Sequence, residues 1–286
     1  MTKKKIAFVT DSTVFLTEEL RSHPDVYIVP IVVISEGNEY EDGQALSTDQ
    51  LYDIIRENNE VPKTSQPSIG RFRDLYEQLK KDYEHAIAIH VSSKLSGTIS
   101  SSTAGKDQAN FDVEVIDSRS LSFAITTLLE RGIQLADMGA DIDKIANELR
   151  KETKRSKNLI LLGSLEQLYK GGRMSGTQFL LGNLLKIKPI LSINSNGELN
   201  VYEKVRSEKK ATKKLVALLK QSCEENHVTK VGIMQGNTLN RANELKAMIA
   251  QEIPDLKVVI GDISSSLAVH GGEGTMAIFW NIASHD

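Results

Sequence analysis

The sequence contains only one cysteine, Cys223, among its 286 residues. An intrachain disulfide bond and a metal site made of several cysteines are therefore excluded. The six histidines show no spacing typical of metal ligands, and no HExxH motif occurs. A glycine-rich dinucleotide fingerprint and a glycine-lysine phosphate loop are also missing. We therefore predict no metal and no cofactor.

An excess of basic charge is missing as well, since the net charge is -3 at pH 7. Proteins that bind nucleic acid usually carry a basic surplus, so no nucleic-acid partner is predicted. No apolar run approaches the roughly 20 residues that a membrane helix needs, and the first residues lack the pattern of a signal peptide. We expect a cytoplasmic protein without a membrane span.

The sequence does contain short apolar strands that alternate with longer helical patterns. Segments 86–91 and 113–116 are continuously apolar and are each followed by a helical pattern, which is typical of a parallel sheet covered on both faces. Segment 26–34 is predicted as one strand, and 35–43 as a polar turn. Ser47 and Ser68 are predicted to begin helices, because serine is a favourable N-cap residue.

The second half has a different pattern. Two apolar segments, 188–193 and 198–205, flank a polar stretch that ends in Asn-Gly, which predicts an antiparallel hairpin. We therefore expect an α/β protein of two domains. Residues 1–155 form an N-terminal α/β domain with a parallel sheet, and residues 156–286 form a C-terminal α/β domain with a mixed or antiparallel sheet.

Four segments rich in hydroxyl groups follow predicted strands or precede predicted helices: 10–13, 63–68, 92–98 and 117–120. Ligands of open parallel sheets bind at the carboxyl ends of the strands, where hydroxyls and helix N-termini favour an anion. The basic residues Lys63, Lys94 and Arg119 occur singly, which suits a carboxylate better than a polyphosphate. Each segment alone is also explained as a helix cap, and Gly97 as a point of close backbone approach.

Two glycine-rich segments remain open to more than one interpretation. In 269–275, three glycines follow His270, which is either a ligand-binding residue or a surface residue in a turn before the last strand. Segment 171–176 is either an ordinary turn between helices or a glycine-supported turn that directs Arg173 at a ligand or a domain interface.

These segments together resemble the DegV family, in the family's order and over almost the whole chain. They are Asp11-Ser12-Thr13, Thr64-Ser65-Gln66-Pro67, Ser92-Ser93-Lys94-Leu95-Ser96-Gly97-Thr98, Asp117-Ser118, Gly171-Gly172-Arg173, Lys188-Pro189-Ile190 and the tail motif from His270 to Gly274. The resemblance implies that a long-chain fatty acid, such as palmitate or oleate, is buried between or beneath two domains.

The resemblance also implies which residues hold the carboxylate: Thr64, Ser96 and His270. Further candidates around them are Ser93, Gly97 and Arg173. This chain departs from the family at Glu273, an acid that either points to solvent without effect or raises the pKa of His270 by favouring its charged form. Because apolar burial dominates the binding of a fatty acid, neutral hydroxyls are expected to suffice without a paired arginine. The apolar segments 31–34, 123–129 and 179–191 are candidates for the tunnel wall, or else for ordinary core.

Some DegV-like proteins are the carrier subunit of a bacterial fatty acid kinase, whose ATP-binding subunit phosphorylates the bound acid for phospholipid synthesis. The resemblance implies such a kinase partner, no catalytic residue in this chain, and a contact through Arg206 in a basic run. The charge pattern alone favours a solvated helix face there. The alternative function is a serine hydrolase with Ser96 as nucleophile and His270 as base, although the Gly-x-Ser-x-Gly turn is missing.

Overall fold

The computed structural model describes residues 4–58, 61–173 and 188–282. The strands are β1 (Lys4–Asp11), β2 (Val26–Val29), β3 (Val32–Ser35), β4 (Asn38–Glu41), β5 (Lys63–Ser65), β6 (Tyr83–His90), β7 (Val113–Asp117), β8 (Ser156–Leu161), β9 (Lys188–Ile193), β10 (Leu199–Val205), β11 (Lys230–Gln235), β12 (Lys257–Asp262) and β13 (Met276–Asn281). The helices are α1 (Glu18–Ser22), α2 (Thr48–Asn58), α3 (Ile69–Asp82), α4 (Thr98–Ala109), α5 (Phe123–Asp137), α6 (Ile142–Glu152), α7 (Leu165–Lys170), α8 (Glu208–Glu225), α9 (Leu239–Glu252) and α10 (Ser265–Gly271).

The first sheet has the strand order β2-β1-β6-β7, and its neighbouring strands are all parallel. Strand β6 is buried on both faces. Ala86 and Ala88 pack in a cluster with α3 and α4, whereas Ile87 and Ile89 pack in a cluster with α5 and α6. The predicted parallel sheet with helices on both faces is confirmed.

The second sheet has the order β10-β9-β8-β13-β11-β12. It is mixed, because β11 and β12 are parallel while its other neighbours are antiparallel. The predicted hairpin is confirmed as β9 and β10. Helices α8 and α9 bury their apolar sides against one face of this sheet. The predicted domain boundary after residue 155 falls just before β8, and it stays a prediction.

The predicted single strand at 26–34 is wrong, because it is two strands in different sheets. Pro30 separates β2, which pairs with β1, from β3, which pairs with β4 and β5. Proline has a fixed φ and no N–H for a sheet ladder, so the strand ends there. The predicted turn at 35–43 contains β4, and the actual turn is Glu36-Gly37, both with positive φ, as two-residue hairpin turns prefer.

Serine caps begin the helices as predicted. Ser47 Oγ accepts the N–H of Gln50 at 3.2 Å, and Ser68 Oγ accepts the N–H of Arg71 at 3.3 Å. In the part of the chain that the structure describes, no helix is long and apolar enough to cross a membrane.

A fourth apolar cluster, the shared core, combines residues from both halves of the chain. Leu51 and Phe123 come from the first half, and Leu191 and Phe279 come from the second. Helix α10 contacts α2, α7, β3 and β5, so it joins the two halves at this point. The candidate tunnel residues 179–187 lie outside the described residues.

Candidate functional site

A cavity opens between the strand ends of the first sheet and helix α10. Its wall carries most of the polar residues that the sequence singled out. The lining residues are Thr13, Ile31, Thr64, Ser65, Gln66, Val91, Leu95, Ser96, Leu121, Leu168, Arg173, Leu199, Ser266, Leu267 and His270. We call Thr64, Ser96 and His270, which all lie on this wall, the polar cluster.

A second compartment continues from the first into the shared core. The two compartments share five leucines and His270: Leu95, Leu121, Leu168, Leu199, Leu267 and His270. The second compartment is otherwise walled mainly by apolar side chains such as Ile160, Ala277 and Phe279. The result is an apolar cavity with one polar end.

Thr64 and His270 meet at this polar end although they are far apart in sequence. Thr64 lies on β5, where it pairs with Val33, and His270 lies in the last turn of α10. Their side chains are joined by a hydrogen bond of 2.8 Å between Thr64 Oγ1 and His270 Nε2. His270 is therefore a half-buried helical residue, and the interpretation as a surface residue in a turn is wrong.

The tautomer of His270 follows from its partners. Nδ1 is buried and has no hydrogen-bond partner among the described residues. A buried donor without a partner is rarer than a buried acceptor without one. We therefore assign the proton to Nε2, which donates to Thr64 Oγ1. The Thr64 hydroxyl then keeps its own proton to donate to a ligand in the cavity.

The pKa of His270 is lowered to about 4, first because the ring is buried and second because the charge of Arg173 is near. Of the two alternatives for Glu273, the one in which it raises this pKa is wrong. Both carboxylate oxygens of Glu273 accept from Arg56 Nη1 at 2.9 Å, and Asn237 also donates to one of them. Because burial and Arg173 lower its pKa, His270 is neutral near pH 7.

This lowered pKa predicts a pH dependence of stability. Between the ordinary value of 6.5 and the folded value of about 4, the unfolded chain binds more protons at His270 than the folded protein does. The free energy of unfolding is therefore expected to fall as the pH drops through this window, by up to ~3 kcal/mol from this group. His270→Gln should remove that part of the slope in urea unfolding at a series of pH values. Identical slopes for the wild type and the variant would contradict the lowered pKa.

Ser96 lies in the turn between β6 and α4. Its Oγ is 2.8 Å from Thr98 Oγ1 and accepts the N–H of Thr98 at 3.3 Å. Helix α4 begins here without a side-chain cap, because its N-cap residue is Gly97. The free N–H groups of its first turn therefore add positive potential near Ser96, which favours an anion.

The backbone at Gly97 is closely approached by another group. A Cβ atom at this position would lie 2.8 Å from the side chain of Gln66, which also lines the cavity. The approaching group is the far end of a flexible side chain. Gln66 therefore lies over the start of α4, beside Ser96.

Arg173 lies on the wall of the same cavity. Its Nε donates to the carbonyl of Leu95 at 3.3 Å and its Nη1 to the carbonyl of Gly171 at 2.6 Å. Burial lowers the pKa of the guanidinium. The sequence-based expectation of neutral hydroxyls without an arginine therefore needs correction, because a cationic side chain lies near the polar cluster.

Other predicted residues lie elsewhere. The Ser93 hydroxyl donates to Asp117 at 2.6 Å on the exposed surface, and Ser93 does not line the cavity. Arg119 donates to the carbonyl of Ser195. Three of the four hydroxyl-rich segments thus reach the cavity, while 117–120 does not. Arg206 is exposed at the end of β10, far along the chain from the polar cluster.

Most residues of the apolar cavity wall were not predicted from the sequence. Leucines in loops, in short helices and at the start of β10 line both compartments, although no periodic pattern marks them. Of the predicted wall segments, Ile31 lines the cavity, and Phe123 belongs to the shared core. Leu128 and Leu129 instead pack beneath the first sheet. Within the described ranges, no group of three or more His, Cys, Asp or Glu residues is arranged to hold a metal ion.

The hydrolase arrangement is not assembled around Ser96. His270 Nε2 bonds Thr64, the Ser96 hydroxyl bonds Thr98, and no hydrogen bond joins Ser96 to His270 in the described structure. Asp11, His90 and Ser102 do form a triad-like chain, but all three are completely buried and cannot meet a substrate.

Residues 5–283 match the family model described as "Uncharacterised protein, DegV family". The chain belongs to the DegV family. A DegV domain-containing protein of Listeria innocua is 31% identical over 281 residues, which cover 98% of this chain and 99% of that protein.

Two solved structures share the fold. A fatty acid binding DegV family protein from Streptococcus agalactiae has a TM-score of 0.91 and 32% identity over 98% of this chain and 99% of that one. A DegV family protein from Thermus thermophilus, solved as a case of fatty acid binding, has a TM-score of 0.91 and 26% identity over 98% and 100%.

Membership of the DegV family agrees with the resemblance found in the motifs, and the DegV fold agrees with the two sheets described above. The cavity between those sheets is therefore the candidate functional site of this DegV protein.

Proposed function

We propose that the protein binds a long-chain fatty acid, with its carboxylate at the polar cluster and its acyl chain in the apolar compartments. The observation that carries this proposal is an apolar cavity that runs into the shared core and has polar side chains at one end. The related proteins from Streptococcus agalactiae and Thermus thermophilus, which bind fatty acids, support it.

The energetics of such a ligand suit this cavity. Burial stabilises each methylene by about 0.8 kcal/mol, so a palmitate-sized chain gains roughly 10 kcal/mol before the costs of ordering and association. The leucine-rich wall supplies this contact. The carboxylate then needs only a few hydrogen bonds and one nearby positive charge to orient it.

Each polar residue has a distinct role in the proposed complex. The hydroxyls of Thr64 and Ser96 donate to the carboxylate, while His270 orients the Thr64 hydroxyl through Nε2. Arg173 stabilises the charged form of the ligand from the cavity wall. Gly97 leaves room for Gln66 beside Ser96, and Ser93 has no direct contact.

Mass spectrometry of ligand extracted from the protein, purified without added lipid, tests this proposal. A fatty acid at near-equal molar ratio to the protein is expected, together with release of the same acid after denaturation. Recovery of no fatty acid, combined with no binding of added palmitate or oleate by the stripped protein, would contradict it.

We further infer that the protein presents its fatty acid to a separate kinase for acyl phosphate formation. Ser65 and Gln66 line the cavity and are exposed, so the carboxylate end lies just below the surface. The proposal assigns the binding of the phosphoryl donor to a second protein, in keeping with a sequence that lacks a glycine-lysine phosphate loop. The acyl phosphate would then serve phospholipid synthesis.

The surface around Arg206 is the proposed contact with that kinase. Arg206 is exposed and has no ion-pair partner among the residues that the structure describes, whereas Glu203 pairs with Lys214. Tyr202, on the same strand, is 52% exposed. Exposed arginine and tyrosine side chains are frequent anchors of protein interfaces.

Arg206→Ala is expected to slow acyl phosphate formation by the partner kinase, and to reduce its salt dependence, without changing fatty acid affinity. Surface charge acts on encounter and docking, and the cavity lies elsewhere. Arg21→Ala, which removes an exposed arginine from α1, is the matched control and should leave the rate unchanged. Equal rates for the wild type and both variants across a range of salt concentrations would exclude this docking surface.

A further inference from the structure

Ser122 has an unusual backbone conformation and lies in the wall of the second compartment. It lies between β7 and α5 with φ 54° and ψ -125°, a region of positive φ that residues other than glycine rarely adopt. Only 1% of the residue is exposed. Strained backbone of this kind clusters at active sites, ligand sites and switch regions.

A serine before a helix usually caps that helix with its side chain, but Ser122 does not. It occupies the N-cap position of α5, yet its side chain makes no capping hydrogen bond. Its carbonyl accepts the N–H groups of Ile125 and Thr126 at 3.0 and 3.3 Å. The Oγ atom is buried and has no hydrogen-bond partner in the part of the chain that the structure describes. An unpaired buried hydroxyl is unfavourable, so alanine would serve the fold better.

The hydroxyl belongs to the wall of the second, apolar compartment. Ser122 lines that compartment and not the one that holds Thr64 and Ser96. The neighbouring hydroxyl of Thr275 is already paired, because it donates to the carbonyl of Gly272 at 2.8 Å and accepts the N–H of Gly163 at 3.1 Å. Ser122 thus offers a free donor and acceptor to whatever part of the ligand lies beyond the carboxylate.

We propose that Ser122 hydrogen-bonds an oxygen substituent on the acyl chain, so that the site accepts long-chain fatty acids with a hydroxyl group at mid-chain. This inference rests on the proposed function of fatty acid binding. A hydroxyl on the chain can both donate to and accept from Ser122 Oγ, and it would otherwise be buried without a partner in an apolar wall. A plain chain leaves Ser122 unpaired.

Competition binding with stearate and a series of hydroxystearate positional isomers tests the inference. In the wild type, affinity is expected to peak at one hydroxyl position. Ser122→Ala should reduce affinity for that isomer by on the order of tenfold, the effect of one buried hydrogen bond, and leave stearate affinity unchanged or higher. Alanine has the same difficulty with positive φ as serine, so the backbone strain is matched.

Ser120→Ala is the matched control. Ser120 is also 1% exposed, and its Oγ also has no partner, but it does not line either compartment. This variant should keep the preference of the wild type. Ser122→Gly, which relieves the strain, should lose the preference as Ser122→Ala does and guards against a folding defect.

The outcomes separate this inference from the proposed function. Binding of stearate with no isomer preference, or a preference that survives in Ser122→Ala, would overturn the inference alone. Failure of the wild type to bind either stearate or any isomer would overturn both.

A strained serine before a helix can also expose a nucleophile. Turnover of a long-chain acyl ester that Ser122→Ala abolishes would overturn the inference in favour of catalysis.

Discussion

The double variant Thr64→Val/Ser96→Ala is expected to lose fatty acid affinity by at least about a hundredfold. Each hydrogen bond to a charged group contributes on the order of 1.5–3 kcal/mol, and valine and alanine remove the donors without adding bulk. Because both hydroxyls act on one carboxylate, the two losses need not add. Displacement of a fluorescent fatty acid by palmitate measures the effect for both single variants and the double variant.

Ser93→Ala is the control for this experiment. Ser93 lies in the same hydroxyl-rich segment as Ser96, but its hydroxyl bonds Asp117 on the surface, so its removal should leave affinity unchanged. Thermal unfolding without ligand checks that Thr64→Val, which leaves His270 Nε2 without an acceptor, still folds. Wild-type affinity in the double variant would remove both residues from the binding site.

Asp11→Ala is expected to lower the free energy of unfolding by roughly 3–5 kcal/mol, the range for breaking a buried, hydrogen-bonded pair. The carboxylate of Asp11 is completely buried. It accepts from the Thr13 hydroxyl at 2.6 Å, from the N–H of Val91 at 2.8 Å and from His90 Nδ1 at 3.2 Å. Without it, these donors lose their partner inside the core.

The same substitution should also weaken ligand binding, because Thr13 and Val91 line the cavity. Urea unfolding gives the stability, and Asp143→Ala on the exposed side of α6 provides a control with an expected change below about 0.5 kcal/mol. A loss of less than about 1 kcal/mol for Asp11→Ala would show that the buried network is less important than its geometry indicates.

The triad-like chain of Asp11, His90 and Ser102 illustrates how residue type alone misleads. Its side chains have the chemistry of a hydrolase, and Tyr76 extends the chain with a bond of 2.6 Å to Ser102. Complete burial excludes a substrate, so the network stabilises the ends of β1 and β6. Those strand ends in turn position the turn that carries Ser96.

The sequence by itself determined the fold class and many of the elements. Continuous apolar segments between helices indicate burial on both faces, which is typical of a covered parallel sheet. The Asn-Gly turn made the β9–β10 hairpin predictable, since it has few alternative conformations. Serine caps at Ser47 and Ser68 marked helix starts, because the side chain satisfies N–H groups only a few residues away. Each of these signals is local.

The tertiary structure decided which polar side chains reach the cavity. Thr64 and His270 are separated by 206 residues, and Glu273 is held by Arg56 across 217 residues. No local sequence pattern predicts pairings between residues so far apart. The sequence therefore could not show that Glu273 turns away from His270 or that Ser93 bonds Asp117. The cavity wall could not be predicted from the sequence for the same reason. Its leucines come from loops, short helices and the start of β10, in both halves of the chain, and burial between two sheets exists only after the chain has folded.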